Sequence, residues 1–253
     1  MFRLEEQLWW YRSLHERVET AIRQHFGNRR DITLLDAGCG TGGMLNFLRQ
    51  HGYTNLRGLD GSADAVAFCH KRNLPVTCIN LHNLTGFEPE VQYDVIICND
   101  VFCYFTDNQL PSLVLALAHR LKSDGILISN NNAFNVFRGQ HDIAVGIVQR
   151  FVLNDFEQLV PAVGLHIAQA TYWSFILSPL ILGMRQWQRL QLNLGWRKPE
   201  EAQSDVYLPG AWLNKVLYRI VQVEQKLLPR TPFGSSLFMV IAGQQLPGIG
   251  NGR

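Results

Sequence analysis

From residue 31 to residue 172 the chain alternates between two hydrophobic rhythms. Short apolar runs at 31–37, 55–59, 75–79, 93–98, 126–129 and 166–172 predict strands. Segments of helical spacing lie between them, from the glycines after residue 37 to about 50, then at 62–72, 108–121 and 154–163, with Ser62 placed as an N-cap. Residues 80–92 read as a loop, and 133–153 as a polar, irregular connection. This order predicts an α/β fold around a doubly wound, mostly parallel sheet. Such sheets bind ligands outside the carboxyl ends of their strands, which gathers residues 38–43, Asp60, 80–82, 99–104 and 130–132 at one edge.

The flanks follow the helical rhythm. Leu4, Leu8, Tyr11 and Leu14, then Val18, Ile22 and Phe26, predict an amphipathic helix or helix pair over 2–26. The adjacent Trp9, Trp10 and Tyr11 point in different directions, so one can pack on the core while another faces a cleft. The segment is either a clamp on the domain or a lid over the ligand. Two further helical patterns, 175–193 and 210–228, flank a polar linker with Pro199 and Pro209, and 237–242 predicts a last strand. The expected organisation is an N-terminal helical segment 1–30, a nucleotide-binding-type domain 31–173, a helical insert 174–234, the last strand within 235–243 and a loose tail 244–253.

Composition narrows the function classes. At 253 residues, 47% apolar and 17% charged, the chain has material for one large core. A net charge of +2 with scattered Arg argues against a nucleic-acid partner. Cys39, Cys69, Cys78, Cys98 and Cys103 form no CxxC pair and read as reduced core thiols of a cytoplasmic protein. No clustered acids or His-x-Glu pattern points to a metal. No signal peptide is expected, and 175–184 is about half a membrane span and contains Pro179, so only contact with a membrane surface is open.

Residues 34–43 carry the chemistry: Leu-Leu-Asp-Ala-Gly-Cys-Gly-Thr-Gly-Gly, followed by the helical Met44, Leu45, Phe47 and Leu48. Gly38, Gly40 and Gly43 satisfy the G-x-G-x-x-G of dinucleotide sites, so an NAD(P)-dependent oxidoreductase is one reading. Asp36 opposes it, because a carboxylate there would face a pyrophosphate. A cationic ligand without phosphate suits the same acid.

The stretch resembles the glycine-rich motif of class I S-adenosylmethionine-dependent methyltransferases, of the type 11/12-like small-molecule branch. Asp60 resembles the acid that holds the ribose hydroxyls in that family. Tyr93-Asp94-Val95-Ile96-Ile97 resembles its fourth strand, and Leu121-Lys122-Ser123-Asp124-Gly125 its turn into the fifth. His141-Asp142, Gly146, Arg150 and Phe151, with Ser204-Asp205, Asn214, Glu224, 232–236 and the start Glu5-Glu6 with Trp9-Trp10-Tyr11, resemble flanking patterns of one bacterial branch. The resemblance implies a seven-stranded Rossmann-like sheet, S-adenosylmethionine (SAM) as cofactor, and contacts from Asp36, Gly38, Cys39, Gly40, Gly42, Asp60, Gly61, Asn80, Leu81, Asn99 and Asp100. It departs at Asn80, where an acid is usual, and at Cys103-Tyr104, where a Glu-His pair is usual.

The acceptor it implies is a small molecule, glycan-like, secondary-metabolite-like or lipid-linked, with O-methylation favoured. His141 is the candidate base, oriented by Asp142 or another acid, or else a brace of its loop. Tyr104 lines the acceptor or merely packs. Arg150 grips an anion or forms a loop salt bridge. Asp100 meets the methionine amino group or caps a helix, and His82 lines the adenine side. The insert roofs an apolar acceptor, or packs as a cap or homodimer surface. A SAM-binding protein without catalysis is the competing reading.

Overall fold

The computed structural model describes residues 2–194, 196 and 207–243. Strands β1 (Leu34–Ala37), β2 (Leu56–Asp60), β3 (Val76–Cys78), β4 (Tyr93–Asn99), β5 (Leu121–Asn132), β6 (Leu165–Trp173) and β7 (Ser236–Gly243) form one sheet. Their order is β3-β2-β1-β4-β5-β7-β6, with β7 antiparallel to both of its neighbours and the rest parallel. The chain steps outward from β1 to β3 and returns to place β4 beside β1. That reversal leaves a crevice outside the carboxyl ends of β1 and β4.

Strand alternation builds a core on each face. Leu35, Ala37, Ile96 and Leu127 pack with α5 (Leu110–Ala118) and α7 (Leu153–Ala162). Leu34, Val95, Ile97 and Ile128 pack with α2 (Trp9–Phe26), α3 (Gly43–Gln50) and α4 (Ala63–Lys71). Each of the buried Leu, Ile and Val side chains among these contributes about 1.5–3 kcal/mol.

The strand expected from 31 begins only at Leu34, because Thr33 is tied to Asp94. Its N–H and its hydroxyl donate to Asp94 Oδ2 at 2.7 and 2.8 Å, and Lys122 Nζ donates to the same oxygen at 2.7 Å. The Tyr93-Asp94 and Leu121-Lys122 motifs are therefore one lock between β1, β4 and β5. Its donors outweigh burial and hold the Asp94 carboxyl below the ordinary range. The expected turn at 123–125 lies inside β5, as an irregularity between the pairs Tyr93–Leu121 and Val95–Ile126.

Two expected loops are ordered. Residues 81–86 form a 3₁₀ turn, and 133–153 contain another at Asn135–Phe137 and helix α6 (Gln140–Val145). The buried bidentate pair Arg150–Asp142, at 2.6 and 3.1 Å, closes the latter segment. Cys78 is exposed on the edge strand, contrary to the expectation of a core thiol, while the other four cysteines are buried.

At the N-terminus a helix pair forms, α1 (Phe2–Gln7) and α2, broken at Leu8, whose backbone is extended. The insert supplies α8 (Ser178–Asn193) and α9 (Ala211–Leu227). Helix α9 clamps the helix pair: Asn214 accepts from Trp9 N at 2.9 Å and donates to Gln7 O at 2.7 Å, and Tyr218 donates to Glu16 at 2.6 Å. Pro199, Ser204, Asp205 and the tail 244–253 lie outside the described residues.

Candidate active site

The glycine turn is held from within at every N–H from residue 38 to residue 43. Gly38 and Cys39 donate to Leu59 O at 2.7 and 3.0 Å, and Gly42 donates to Cys39 O at 3.0 Å. Gly40 donates to Asp60 Oδ2 at 2.8 Å. Thr41 and Gly43 donate to Glu5 of α1, at 3.3 and 2.9 Å, and the Thr41 hydroxyl adds a bond of 2.6 Å. Gly38 has φ of +87°, and a Cβ there would stand 2.2 Å from Val101 Cγ2, so only glycine fits.

A pyrophosphate needs free N–H groups at such a turn. Here they are occupied, and a carboxylate already sits at the N-terminus of α3. The dinucleotide reading fails on this geometry.

Acids surround the turn instead. Asp60 is pinned on both oxygens, its Oδ1 accepting from Ser62 N at 2.8 Å. Asp36 is 4% exposed, and no described residue donates a hydrogen bond to it. Burial, with the charges of Glu5 and Asp60, pushes its carboxyl well above the ordinary range.

Across the crevice, Asp100 follows β4 in a left-handed conformation with φ of +54°. Asn130 holds it, accepting from its N–H at 2.7 Å and donating to Oδ1 at 3.1 Å. Burial raises the Asp100 carboxyl to about 7 against that hydrogen bond. Trp173 Nε1 donates to Asn130 Oδ1 at 2.8 Å, and Trp10 of α2 stacks on Trp173 with centroids 5.5 Å apart. A relay thus runs from the N-terminal helix to Asp100.

Tyr104 is 44% exposed, and burial with Cys103, Asp100, Asp142 and Asp60 raises it to about 12. Tyr11 rises too, through burial and then Asp100, Glu5 and Tyr104. Of the three adjacent aromatics, Tyr11 is the one whose phenol feels the acids of the crevice.

Residues 35–127 match the family model for a methyltransferase domain. That match places a methyltransferase domain within this chain. A Rickettsia bellii protein named ubiquinone biosynthesis O-methyltransferase is 31% identical over 110 residues, which cover 42% of this chain and 45% of that protein. The chain thus matches under half the length of that relative.

Two solved structures share the fold. One is an S-adenosylmethionine-dependent methyltransferase from Clostridium acetobutylicum, with TM-score 0.57, 12% identity and 92% of each chain covered. The other is a putative sarcosine dimethylglycine methyltransferase from Galdieria sulphuraria, with TM-score 0.58, 14% identity, and 90% of this chain and 84% of that one covered.

The methyltransferase domain fits a ligand with ammonium and sulfonium groups on two observations. Asp36 is a buried acid without a donor, and Asn99 Oδ1 is buried without a hydrogen-bond partner among the described residues. The other residues expected at the site lie on the glycine turn and on the segments that follow β2 and β3. Cys39 packs beneath the turn, and a Cβ on Gly61 would lie 3.8 Å from Asn80 Cα and Ile79 O. Asn80 Oδ1 accepts from His82 N at 3.0 Å, which caps the 3₁₀ turn and leaves its second lone pair. Leu81 and His82 line a cleft with Phe105, and the His82 and Phe105 rings lie 4.3 Å apart.

His141 sits in the first turn of α6. Asp142 beside it is engaged elsewhere, its Oδ1 accepting from Arg150 and its Oδ2 from Arg150 and Gly139 N. Arg150 is committed to that pair and to Ala133 O at 3.0 Å, so the salt-bridge role prevails over a grip on substrate. No group of three or more potential metal ligands occurs among the described residues.

The sequence reading named Glu5 only within the acidic-aromatic start Glu5-Glu6, not as a site residue, and left open which of the three aromatics faces the site. The Glu5-Glu6 pair ahead of the aromatics was the available signal.

One consequence is a proton linkage. Burial raises the Asp100 carboxyl to about 7 and the Asp36 carboxyl well above the ordinary range in the free protein, and a bound cation favours their ionised forms. SAM affinity should therefore rise as pH climbs from about 6 to about 8. Calorimetry in buffers of different ionisation enthalpy should show proton release, and Asp100→Asn should flatten the pH slope.

Proposed function

We propose that the chain is an O-methyltransferase that moves the methyl group of SAM to a hydroxyl of a small-molecule acceptor. The carrying observation is the glycine turn with no free N–H, ringed by the carboxylates of Asp36, Asp60 and Glu5. The O-methyltransferase name of the Rickettsia relative supports the choice of oxygen. SAM supplies a methyl group made electrophilic by its positively charged sulfur.

Asp36, Asn99 and Asp100 would face the ammonium end, Asp60 and Gly61 the ribose, and Asn80 and Leu81 the adenine. Gly38, Cys39, Gly40 and Gly42 shape the turn. Tyr11 and Tyr104 would flank the acceptor, aligning it and excluding water from the crevice. His141 is the proposed base that takes the hydroxyl proton.

Helix α8 supports an apolar or lipid-linked acceptor. It lies over the loop after β5, with Gln188 Oε1 accepting from Gln140 N at 3.4 Å, and it exposes Leu180, Met184 and Trp187. The unbridged cysteines support a reducing, cytoplasmic setting.

Incubation with methyl-labelled SAM and candidate hydroxyl acceptors should give a labelled product. His141→Ala should bind SAM normally and turn over about 100-fold more slowly, in line with loss of a general base. Normal turnover by that variant would remove His141 from the mechanism. SAM binding without product on any acceptor would favour a non-catalytic SAM-binding protein. Equal activity on water-soluble and lipid-linked forms of one acceptor would count against the apolar roof.

A further inference from the structure

We propose that Glu5, carried in by α1, is a charge-selecting residue of the cofactor site, making it prefer the positively charged cofactor over the neutral thioether left after transfer. The inference rests on the SAM reading above, and it concerns a residue outside the glycine motif.

Glu5 is 7% exposed although it belongs to the first helix of the chain. Its oxygens accept from Thr41 N, Thr41 Oγ1 and Gly43 N. Oε1 lies 3.1 Å from the point a Cβ on Gly40 would occupy, so the charge sits directly over the turn. Asp60 grips the same turn through Gly40 N, and Asp36 lies buried beside both without a donor. The partial positive charge of a helix N-terminus explains why one carboxylate is stable there. It does not explain three acids around one turn, one of them left without a hydrogen bond. A cationic ligand does.

During transfer the carbon–sulfur bond breaks and its electron pair stays on sulfur, while a carbon–oxygen bond forms and the acceptor proton passes to the base. Sulfur becomes neutral. The attraction that held the sulfonium is then lost, and the same three acids favour departure of the product. Because α1 delivers Glu5, docking of that helix and binding of the charged cofactor reinforce each other.

The test is calorimetric titration of wild type and Glu5→Gln with SAM and with S-adenosylhomocysteine. Glutamine keeps the size and an acceptor oxygen for the turn but removes the charge. We expect SAM affinity to fall about tenfold or more, the size of one unit charge several ångströms away in a partly screened site. Affinity for S-adenosylhomocysteine should change less than about threefold, since neutral sulfur has no such attraction. An equal loss for both ligands would make Glu5 a purely structural brace and overturn the proposal, as would no loss for either. A wild type that binds neither ligand would instead overturn the SAM reading itself.

Discussion

Asp60→Ala is expected to lower SAM affinity by about 100-fold or more, while the protein stays folded. In the free protein Asp60 joins Gly40 N of the turn to Ser62 N at the start of α4, each at 2.8 Å. Bonds to a charged acceptor are worth about 1.5–3 kcal/mol each, so removing both loosens the turn at Gly40, while Gly38 and Cys39 keep it on Leu59 O of β2. The same substitution removes the acceptor proposed for the ribose hydroxyls. Asp60→Asn keeps acceptor oxygen without charge and should fall between wild type and alanine. Calorimetric titration with SAM measures all three, and an alanine variant of undiminished affinity would remove Asp60 from the site.

The largest effect on stability is expected from Arg150→Met. Arg150 and Asp142 are 4% and 0% exposed at their side chains, and they join by two bonds. Burial raises the Asp142 carboxyl, but the hydrogen bonds and charge of Arg150, with Gly139 N, hold it below the ordinary range. Removing the arginine leaves a buried carboxylate without its partner, at about 3–5 kcal/mol. For a chain of this size that lowers the melting temperature by about 6–20 °C.

The Arg150→Met, Asp142→Leu double variant should recover most of the loss, because an apolar pair leaves no charge stranded. The pH sign follows from the lowered value. The pair's contribution is present above the unfolded carboxylate range and is lost as pH falls through the folded value. Thermal melts across pH check both statements, and a single variant that melts like wild type would contradict them.

The parts of this architecture that are legible in the sequence are local. The turn at 38–43 follows from its glycines, and Ser62 accepts from Ala65 N at 3.3 Å as an N-cap should. The strands were legible as apolar runs, though Thr33 left β1 because its partner Asp94 lies 61 residues away.

What was illegible depends on docking. Glu5 meets Thr41 and Gly43 because the helix pair docks over the turn, held by Arg72 on Glu6 and by Asn214 of α9, which is 205 residues from Trp9. Tyr11 faces the acids rather than Trp9 or Trp10 because successive residues of a helix point about 100° apart, and the packing of α2 selects one of them. Residues 133–153 looked irregular because their order comes from one ion pair eight residues apart, not from a hydrophobic period.

The central claim is that the turn at 38–43 serves a cationic, phosphate-free cofactor. Titration of the wild-type protein with SAM and with NAD, under one set of conditions, tests it most directly. The occupied N–H groups and the buried Asp36 predict that SAM binds with a saturable isotherm and NAD gives none. Binding of NAD without binding of SAM would contradict the account.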